Sequence, residues 1–192
     1  MPAGERVLLA ASELIKRGGL HTFSMEELAT AAGVSRATVY RLFPTKAALF
    51  GALVRRFSPF ESVADILEAH GQEPPGVVIP ILTRTLARVG AERIGIMRAI
   101  LLEASAVTPD AMRGVQPFMP DVVRALAGYM LRQMQAGAIR RMHPVLAVQA
   151  VLGPIFVHLL TRPIAEQLVG FDLPLETSVD ELTASILGGL QP

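Results

Sequence analysis

Residues 24–46 read Ser-Met-Glu-Glu-Leu-Ala-Thr-Ala-Ala-Gly-Val-Ser-Arg-Ala-Thr-Val-Tyr-Arg-Leu-Phe-Pro-Thr-Lys, and this stretch decides the fold. The spacing of its apolar residues predicts two short helices, over residues 24–32 and 35–43. Gly33 lies between them, where the chain has to turn, and glycine readily adopts the left-handed backbone that ends a helix. Two short helices joined by a tight glycine turn form a helix-turn-helix.

The ends of both helices carry suitable capping residues. Ser24 and Glu27 have the spacing of a capping box, in which each side chain satisfies a backbone N–H of the other residue. Ser35 is a favourable N-cap for the second helix. Pro44 ends that helix, because it pushes the preceding residue out of the α region. Thr45 caps a further helix.

The two faces of the motif differ in composition. Leu28, Ala31 and Ala32 are expected to face the core from the first helix, and Val39 and Leu42 from the second. The second helix then exposes basic, hydroxyl-bearing and aromatic side chains: Arg36, Thr38, Tyr40 and Arg41. A helical hairpin with ordinary polar faces is one interpretation. The joint occurrence of two caps, a glycine turn and a basic, aromatic helix favours a helix that enters the major groove of DNA.

Three segments of this region closely resemble the TetR family of bacterial transcription regulators: Ser-Met-Glu-Glu-Leu-Ala, Ala-Ala-Gly-Val-Ser-Arg-Ala-Thr-Val-Tyr and Phe-Pro-Thr-Lys-Ala-Ala-Leu-Phe. The resemblance spans residues 5–55. It implies an all-α homodimer, with a three-helix helix-turn-helix DNA-binding domain over residues 1–50 and a helical effector-binding and dimerisation domain over residues 51–192. It also implies a repressor that leaves its operator when a small molecule binds.

The resemblance assigns roles to individual residues. Lys46 corresponds to a lysine that contacts phosphate, and Tyr40 to a tyrosine that commonly contacts the DNA backbone. Many family members have a histidine where this chain has Leu42, so the phosphate contact made there by other members does not carry over.

The predicted DNA-binding residues are Ser35, Arg36, Thr38, Tyr40, Arg41, Thr45 and Lys46. From this set we expect phosphate contacts from Tyr40, Thr45 and Lys46, and Thr22 is a further candidate for such a contact. The other candidates, Arg36, Thr38 and Arg41, are expected at base edges, where arginine pairs with guanine O6 and N7. A dimer reads two half-sites about one helical turn apart, so the operator is expected to be pseudo-palindromic double-stranded DNA.

Charge is unevenly distributed along the chain. The net charge is only +1, but residues 1–60 carry eight basic and four acidic side chains, whereas residues 61–192 carry a net charge of −3. The basic part contains the motif, which suits a polyanionic partner. Chance asymmetry in a short segment would give the same pattern.

The composition also limits where the protein acts. It has no cysteine, which excludes disulfides and cysteine-based metal sites and is consistent with the cytoplasm. The residues after Met1 do not resemble a signal peptide. The most apolar stretch, residues 145–160, is interrupted by Gln149, Pro154 and His158, and it is shorter than the roughly 20 residues that a membrane span needs. We expect a buried helix there and no membrane partner.

A break is predicted after residue 57. The sequence Ser58-Pro59-Phe60-Glu61 places a proline where a helix would otherwise continue, and it also has the pattern of a new capping box. The break is either a hinge or a static bend. The other predicted helices cover residues 5–17, 77–89, 91–106, 109–115, 120–136, 144–161 and 178–189.

Six methionines fall between residues 97 and 142 and suggest an adaptable, mostly apolar effector pocket. Core packing is the alternative for each of them. Glu103 is a further polar side chain on these helices that could orient a ligand. The predicted effector-binding residues are Met97, Arg98, Tyr129, Met130, Gln133 and His158. For each polar candidate a structural or surface role is the alternative, and for His158 it is a buried hydrogen bond in a dimer interface.

The helices near 144–161 and 178–189 resemble the dimerisation pair of the family. The first is so crowded with apolar residues that one subunit alone leaves part of it uncovered, and a four-helix interface between two subunits would bury both. Burial within one subunit is the alternative.

Two other classes of function remain to be compared. An enzyme is disfavoured, because the sequence has no cysteine nucleophile and no glycine-rich phosphate loop, and its four histidines are scattered. We therefore expect no metal site and no cofactor. The third class is a helical small-molecule-binding or scaffold protein that uses the motif for protein contacts, and such a protein would show no salt-dependent affinity for DNA.

Overall fold

The computed structural model describes residues 1–192, with every side chain except that of Phe60. All regular structure in the described residues is helical, which confirms the predicted fold class. The helices are α1 (Ala3–Gly18), α2 (Met25–Ala32), α3 (Arg36–Leu42), α4 (Lys46–Phe57), α5 (Phe60–His70), α6 (Pro75–Glu92), α7 (Ile94–Ser105), α8 (Pro109–Val115), α9 (Met119–Gln135), α10 (Pro144–Val169) and α11 (Leu175–Leu190). A 3₁₀ turn, Leu20–Thr22, lies between α1 and α2.

The helices form two compact units, each built from two segments of the chain. The first unit combines Met1–Ser58 with Arg93–Met119, and the second combines Pro59–Glu92 with Pro120–Pro192. The sequence prediction divided the chain by function at residue 50, and that functional division stays a prediction.

The first unit has a continuous apolar core beneath the helix-turn-helix. Val7, Leu28 and Val39 are fully buried on α1, α2 and α3. On α4, Leu49, Phe50 and Leu53 are also fully buried. Burying such side chains stabilises the fold by about 1.5–3 kcal/mol each, so α4 anchors the motif.

In this unit α4 also packs against α8 at the level of the backbone. A Cβ atom added at Gly51 would lie 2.3 Å from the carbonyl oxygen of Gly114, and one added at Gly114 would lie 2.6 Å from the carbonyl oxygen of Ala47. Real Cβ atoms do not approach backbone this closely. The α4–α8 contact therefore requires glycine on both helices.

The second unit is organised around α6, which packs against α5, α10 and α11. Its buried face includes Val78, Ile79 and Leu82. Thr83 and Thr183 are buried polar residues on α6 and α11, and their hydroxyl oxygens lie 2.8 Å apart. This bond satisfies both hydroxyls inside the core, where an unpaired polar group is costly.

The predicted break after residue 57 is confirmed, but the predicted capping box is wrong. Helix α4 ends at Phe57 and α5 begins at Phe60, with Pro59 at the N-cap and no side-chain cap. The Ser58 hydroxyl is buried without a hydrogen-bond partner in the described residues. The chain therefore breaks at Ser58-Pro59, as expected where a proline would interrupt a helix, and Ser58 does not cap α5.

Helix α10 is longer than predicted. It runs for 26 residues and continues through both Pro154 and Pro163. By length and composition it could span a membrane, with a mean hydropathy of 1.8 over a window that is 28% buried. The expectation that this segment is too short to span was wrong, because the helix was predicted to end at residue 161 and continues to Val169. Core helices of soluble proteins also meet this criterion, so it is weak evidence for a membrane.

Val107 has an unusual backbone conformation in the turn between α7 and α8. Its φ angle is +51°, and it is the single non-glycine residue in the described chain with positive φ. A β-branched side chain in this region costs about 1–3 kcal/mol. The next residue, Thr108, caps α8 by accepting a hydrogen bond from the backbone N–H of Ala111 at 3.2 Å.

Candidate nucleic-acid interface

The helix-turn-helix has the caps that the sequence predicts. The Ser24 hydroxyl accepts from the backbone N–H of Glu27, and Glu27 accepts from the backbone N–H of Ser24 at 2.6 Å. Gly33 is left-handed, with φ of 63°, and its N–H is bonded to the end of α2. The Ser35 hydroxyl accepts from the backbone N–H of Thr38 at 3.1 Å. These bonds fix the start of α3 relative to α2.

The exposed face of α3 agrees with the prediction except at its end. Arg36, Tyr40 and Arg41 are exposed, Thr38 is half-buried, and Val39 is fully buried beneath them. Leu42 was expected in the core but is 39% exposed, because α3 is short and Leu42 is its last residue. On α2, Ala31 is likewise exposed and Ala29 is buried in its place. The apolar stripe of α2 therefore runs through Met25, Leu28, Ala29 and Ala32.

The polar side chains at the start of α3 are held in defined positions. One guanidinium nitrogen of Arg36 lies 2.8 Å from the Glu26 carboxylate, and its Cζ lies 5.4 Å from the centre of the Tyr40 ring. The Ser35 and Thr38 hydroxyls lie 2.8 Å apart. Arg41 is exposed and has no ionic or hydrogen-bond partner in the described part of the chain. It is therefore free to contact a ligand.

Lys46 lies at the first position of α4, after the N-cap Thr45. Its Nζ atom donates to the backbone carbonyl of Leu20 at 3.0 Å and lies 5.3 Å from the centre of the Phe23 ring. An ammonium group has three donor hydrogens, so this bond orients the charge and leaves two donors available. Thr22 is exposed, and its hydroxyl donates to the carbonyl of Gly19 at 3.0 Å.

The Glu27 carboxylate adds an electrostatic element to the motif. The hydrogen bond that the carboxylate accepts from the Ser24 backbone N–H is the largest cause that lowers the pKa of Glu27, and the hydrogen bond with the Ser24 hydroxyl is the next. The positive charge of Lys46 lowers this pKa further. The ionised form is therefore the one that caps α2.

Several residues that support this surface were not found from the sequence. Arg6 on α1 donates to the carbonyl of Gly33 at 3.4 Å and thereby contacts the turn of the motif. The Glu26 carboxylate pairs with Arg36. Glu103 accepts from the backbone N–H of Leu20 at 2.9 Å, across 83 residues of sequence. No local pattern signals such long-range contacts, and the sequence suggested a ligand-orienting role for Glu103 instead.

Comparison with known proteins agrees with this arrangement. Residues 7–53 match the family model of bacterial regulatory proteins of the tetR family, and no curated protein matches the chain. The transcriptional regulator FadR from Bacillus subtilis, solved in complex with stearoyl-CoA, has a TM-score of 0.76 at 17% identity, covering 97% of this chain and 99% of that one. NalD from Pseudomonas aeruginosa, the secondary repressor of the MexAB-OprM multidrug efflux pump, has a TM-score of 0.74 at 22% identity, covering 98% and 95%.

A third similar structure is PfmR from Thermus thermophilus, a TetR family transcriptional regulator, with a TM-score of 0.68 at 20% identity, covering 97% of this chain and 100% of that one. The match to the family model assigns residues 7–53 to the TetR family. At these identities the likeness to the solved structures is one of fold. The match to the TetR-family sequence model covers α2 and α3 and most of α1 and α4.

Outside the TetR-family match, the predicted effector residues are divided between the two units. Met97 and Arg98 are in the first unit, where Met97 is buried and Arg98 is exposed beside a groove of about 630 Å³. The others are in the second unit. The structure therefore does not gather all six in one compact unit, and their role as effector ligands stays a prediction.

In the second unit, the polar groups of Tyr129 and Gln133 already have partners. The Tyr129 hydroxyl and the Gln133 amide both donate to the carbonyl of Glu73, at 3.1 and 3.3 Å. Tyr129 and Met130 are fully buried, and burial raises the pKa of Tyr129 to about 12. These bonds tie α9 to the loop before α6.

His158 on α10 is half-buried, with its Nε2 atom inaccessible and without a partner in the described residues. Its ring meets that of Phe171 edge-on, with 5.9 Å between the ring centres. Burial, followed by the charge of Arg162, lowers the pKa of His158. The imidazole is therefore held neutral, as expected for a group inside an apolar contact.

Proposed function

We propose that the protein is a dimeric, sequence-specific repressor of transcription that leaves a pseudo-palindromic operator when a small, mostly apolar effector binds. The observation that carries this proposal is the geometry of α3. It is capped by Ser35, anchored by fully buried Val39, and exposes Arg36, Tyr40 and Arg41 on the opposite side. A short helix with a fixed start and an exposed basic face suits entry into the major groove.

The contacts to DNA would be of two kinds. Arg36, Thr38 and Arg41 would read base edges, and Ser35, Tyr40, Thr45 and Lys46 would position the protein on phosphates and sugars. Arg36 would exchange its exposed ion pair with Glu26 for a guanine edge, and exposed pairs of this kind contribute only about 0–1 kcal/mol. The exchange therefore costs little.

An apolar face on α10 supports dimerisation through α10 and α11. Leu146, Val157, Ile164 and Leu168 are 53–77% exposed, and their spacing places them along one side of the helix. The opposite side, with Val151 and Ile155, is buried in the second unit. A second copy that covers the exposed side would remove this apolar surface from water.

Family members are soluble cytoplasmic proteins, and we place this chain in the cytoplasm with them.

The functional division that we propose is DNA binding over residues 1–50 and effector binding with dimerisation over residues 51–192. The compact units divide the chain differently, since they group Arg93–Met119 with the N-terminal helices.

The methionines of α9 support an apolar effector, because Met130 and Met134 are both buried there and methionine adapts to irregular ligands. The acyl chain of the stearoyl-CoA bound to FadR from Bacillus subtilis is a ligand of this kind.

The test is selection of preferred sites from a random pool of duplex DNA, with the purified protein at near-physiological salt. An enriched inverted repeat is the expected result, and it would identify the operator. If no sequence is enriched and binding does not depend on salt, the helix-turn-helix serves protein contacts and the proposal is wrong.

A further inference from the structure

We infer that Glu103 is a positioning residue for DNA binding, which holds the 3₁₀ turn Leu20–Thr22 and, through it, orients the Lys46 ammonium group. This inference rests on the proposed function, in which Lys46 contacts phosphate. It concerns the first unit alone, since all of its residues belong there.

Glu103 is the one Asp, Glu, Lys or Arg side chain that is buried among the described residues, with 9% exposure. Its Oε2 atom accepts from the backbone N–H of Leu20 at 2.9 Å. Its Oε1 atom lies 3.4 Å from the Thr108 hydroxyl, which donates to it, and 3.5 Å from Nε2 of His21. A buried carboxylate is costly unless it is hydrogen-bonded, so the site is built around these donors.

The two donors Leu20 and Thr108 each follow a residue with an unusual, positive φ angle. Gly19 has φ of +95°, which favours glycine, and a Cβ atom there would lie 3.2 Å from Oε2 of Glu103. On the other side, Val107 has its strained positive φ immediately before Thr108. Strain of this kind persists where the surroundings over-determine it. Both unusual conformations bring a donor to Glu103.

Leu20 then connects Glu103 to Lys46. Its N–H donates to Glu103, and its carbonyl accepts from Nζ of Lys46 at 3.0 Å. The Leu20 side chain is fully buried, so the backbone of Leu20, held at both its N–H and its carbonyl, has little freedom when both bonds are present. If the Glu103 carboxylate is removed, the Leu20 N–H loses its buried acceptor and the turn has to shift. Lys46 then loses the fixed acceptor that orients it.

The test measures operator affinity against salt concentration for full-length Glu103→Ala, Glu103→Gln, Lys46→Ala and the double variant Lys46→Ala with Glu103→Ala. Log affinity falls with log salt concentration, and each phosphate contact contributes about 0.9 to the steepness of that fall. Lys46→Ala should therefore make the slope shallower by about two for a dimer. Glu103→Ala should weaken binding and also make the slope shallower. The double variant should bind like Lys46→Ala alone, because Glu103 acts through Lys46.

The sign of the effect separates positioning from charge. Loss of a negative charge alone should strengthen binding to DNA, as expected for the matched control Glu13→Ala on the exposed face of α1. Glu103→Gln also loses the charge, but its amide oxygen can still accept from Leu20, so it should bind at least as well as the parent. Weaker binding by Glu103→Ala with rescue by Glu103→Gln is the expected pair of results.

Other results overturn the inference. It is wrong if Glu103→Ala leaves the salt slope unchanged, or if its effect adds fully to that of Lys46→Ala. If Glu103→Ala does not fold, Glu103→Asp replaces it, because the shorter side chain withdraws the carboxylate from Leu20, and parent-like affinity and slope in that variant would refute the positioning role. If the parent itself shows no salt-dependent binding to DNA, the proposed function fails as well, and that outcome is distinct from a parent that binds and a Glu103 variant that binds equally.

Discussion

Arg36 is the side chain on which sequence recognition is expected to depend most. Replacing it with alanine should remove a base contact and relax the preference at one operator position, at a cost of about 1–3 kcal/mol for the preferred sequence. The measurement is the affinity for the selected operator and for variants of it at each position. Arg84→Ala is the matched control, because Arg84 also forms an exposed ion pair, with Asp180 in the second unit. Equal losses in the two variants would contradict the assignment.

Glu27 should make the stability of the motif depend on pH in a defined direction. Its pKa is lowered in the folded protein, so the ionised carboxylate contributes stability above the unfolded pKa, and this contribution is lost as the pH falls through the folded pKa. Glu27→Gln keeps a capping side chain without the charge. We expect the parent to melt at a higher temperature than Glu27→Gln at neutral pH, with the difference vanishing in acid. A difference that persists in acid would show that charge is not its cause.

The close packing of α4 against α8 gives a prediction for whole helices. Gly51→Ala places a methyl group against the backbone of Gly114, which cannot rotate away. Overpacking typically costs about 1–3 kcal/mol, and each kcal/mol lowers the melting temperature of a chain of this size by about 2–4 °C. The control is Gly188→Ala on α11, where an added Cβ meets no atom within 4 Å. Thermal unfolding should separate the two variants, and equal melting temperatures would show that α4 and α8 can part without cost.

Local signals determined which helices could be found from the sequence. Ser24, Gly33 and Ser35 act within a few residues of themselves, and the structure confirms each cap. Pro59 was recognised correctly as a helix end, and Pro154 was placed inside a predicted helix, but that helix continues beyond residue 161 through Pro163 to Val169. A proline within a helix costs about 3 kcal/mol, and only the tertiary packing of α10, which the sequence does not reveal, can offset that cost. Leu42 was misplaced because periodicity predicts which face a residue lies on but not whether a partner covers it.

The support beneath the candidate interface depends on contacts that local patterns cannot show. Arg6 reaches Gly33 across 27 residues, and Glu103 reaches Leu20 across 83. The exposed side chains of α3, in contrast, follow directly from its register once Val39 is placed in the core. The sequence therefore predicts which residues of α3 are exposed better than it predicts which contacts hold the helix in place.

At the scale of the whole molecule, dimerisation is the property that α10 makes testable. Ile164→Glu places a charge in the middle of its exposed apolar face, where Ile164 is 57% exposed. We expect sedimentation to show a monomer, with loss of affinity for the inverted repeat but retention of weak, salt-dependent binding. Leu131→Glu is the control, since Leu131 is 45% exposed on α9, outside the proposed dimer surface. A dimeric Ile164→Glu variant would place the interface elsewhere.

The exposed apolar face of α10 also has a consequence for gene dosage. If two copies have to meet before an operator is bound, the amount of active regulator rises faster than linearly with the number of chains in the cell while dimers are scarce. Halving the supply of the protein would then more than halve occupancy of a weakly filled operator. The steepness of this response would be set by the strength with which one α10 holds another, separately from any property of α3.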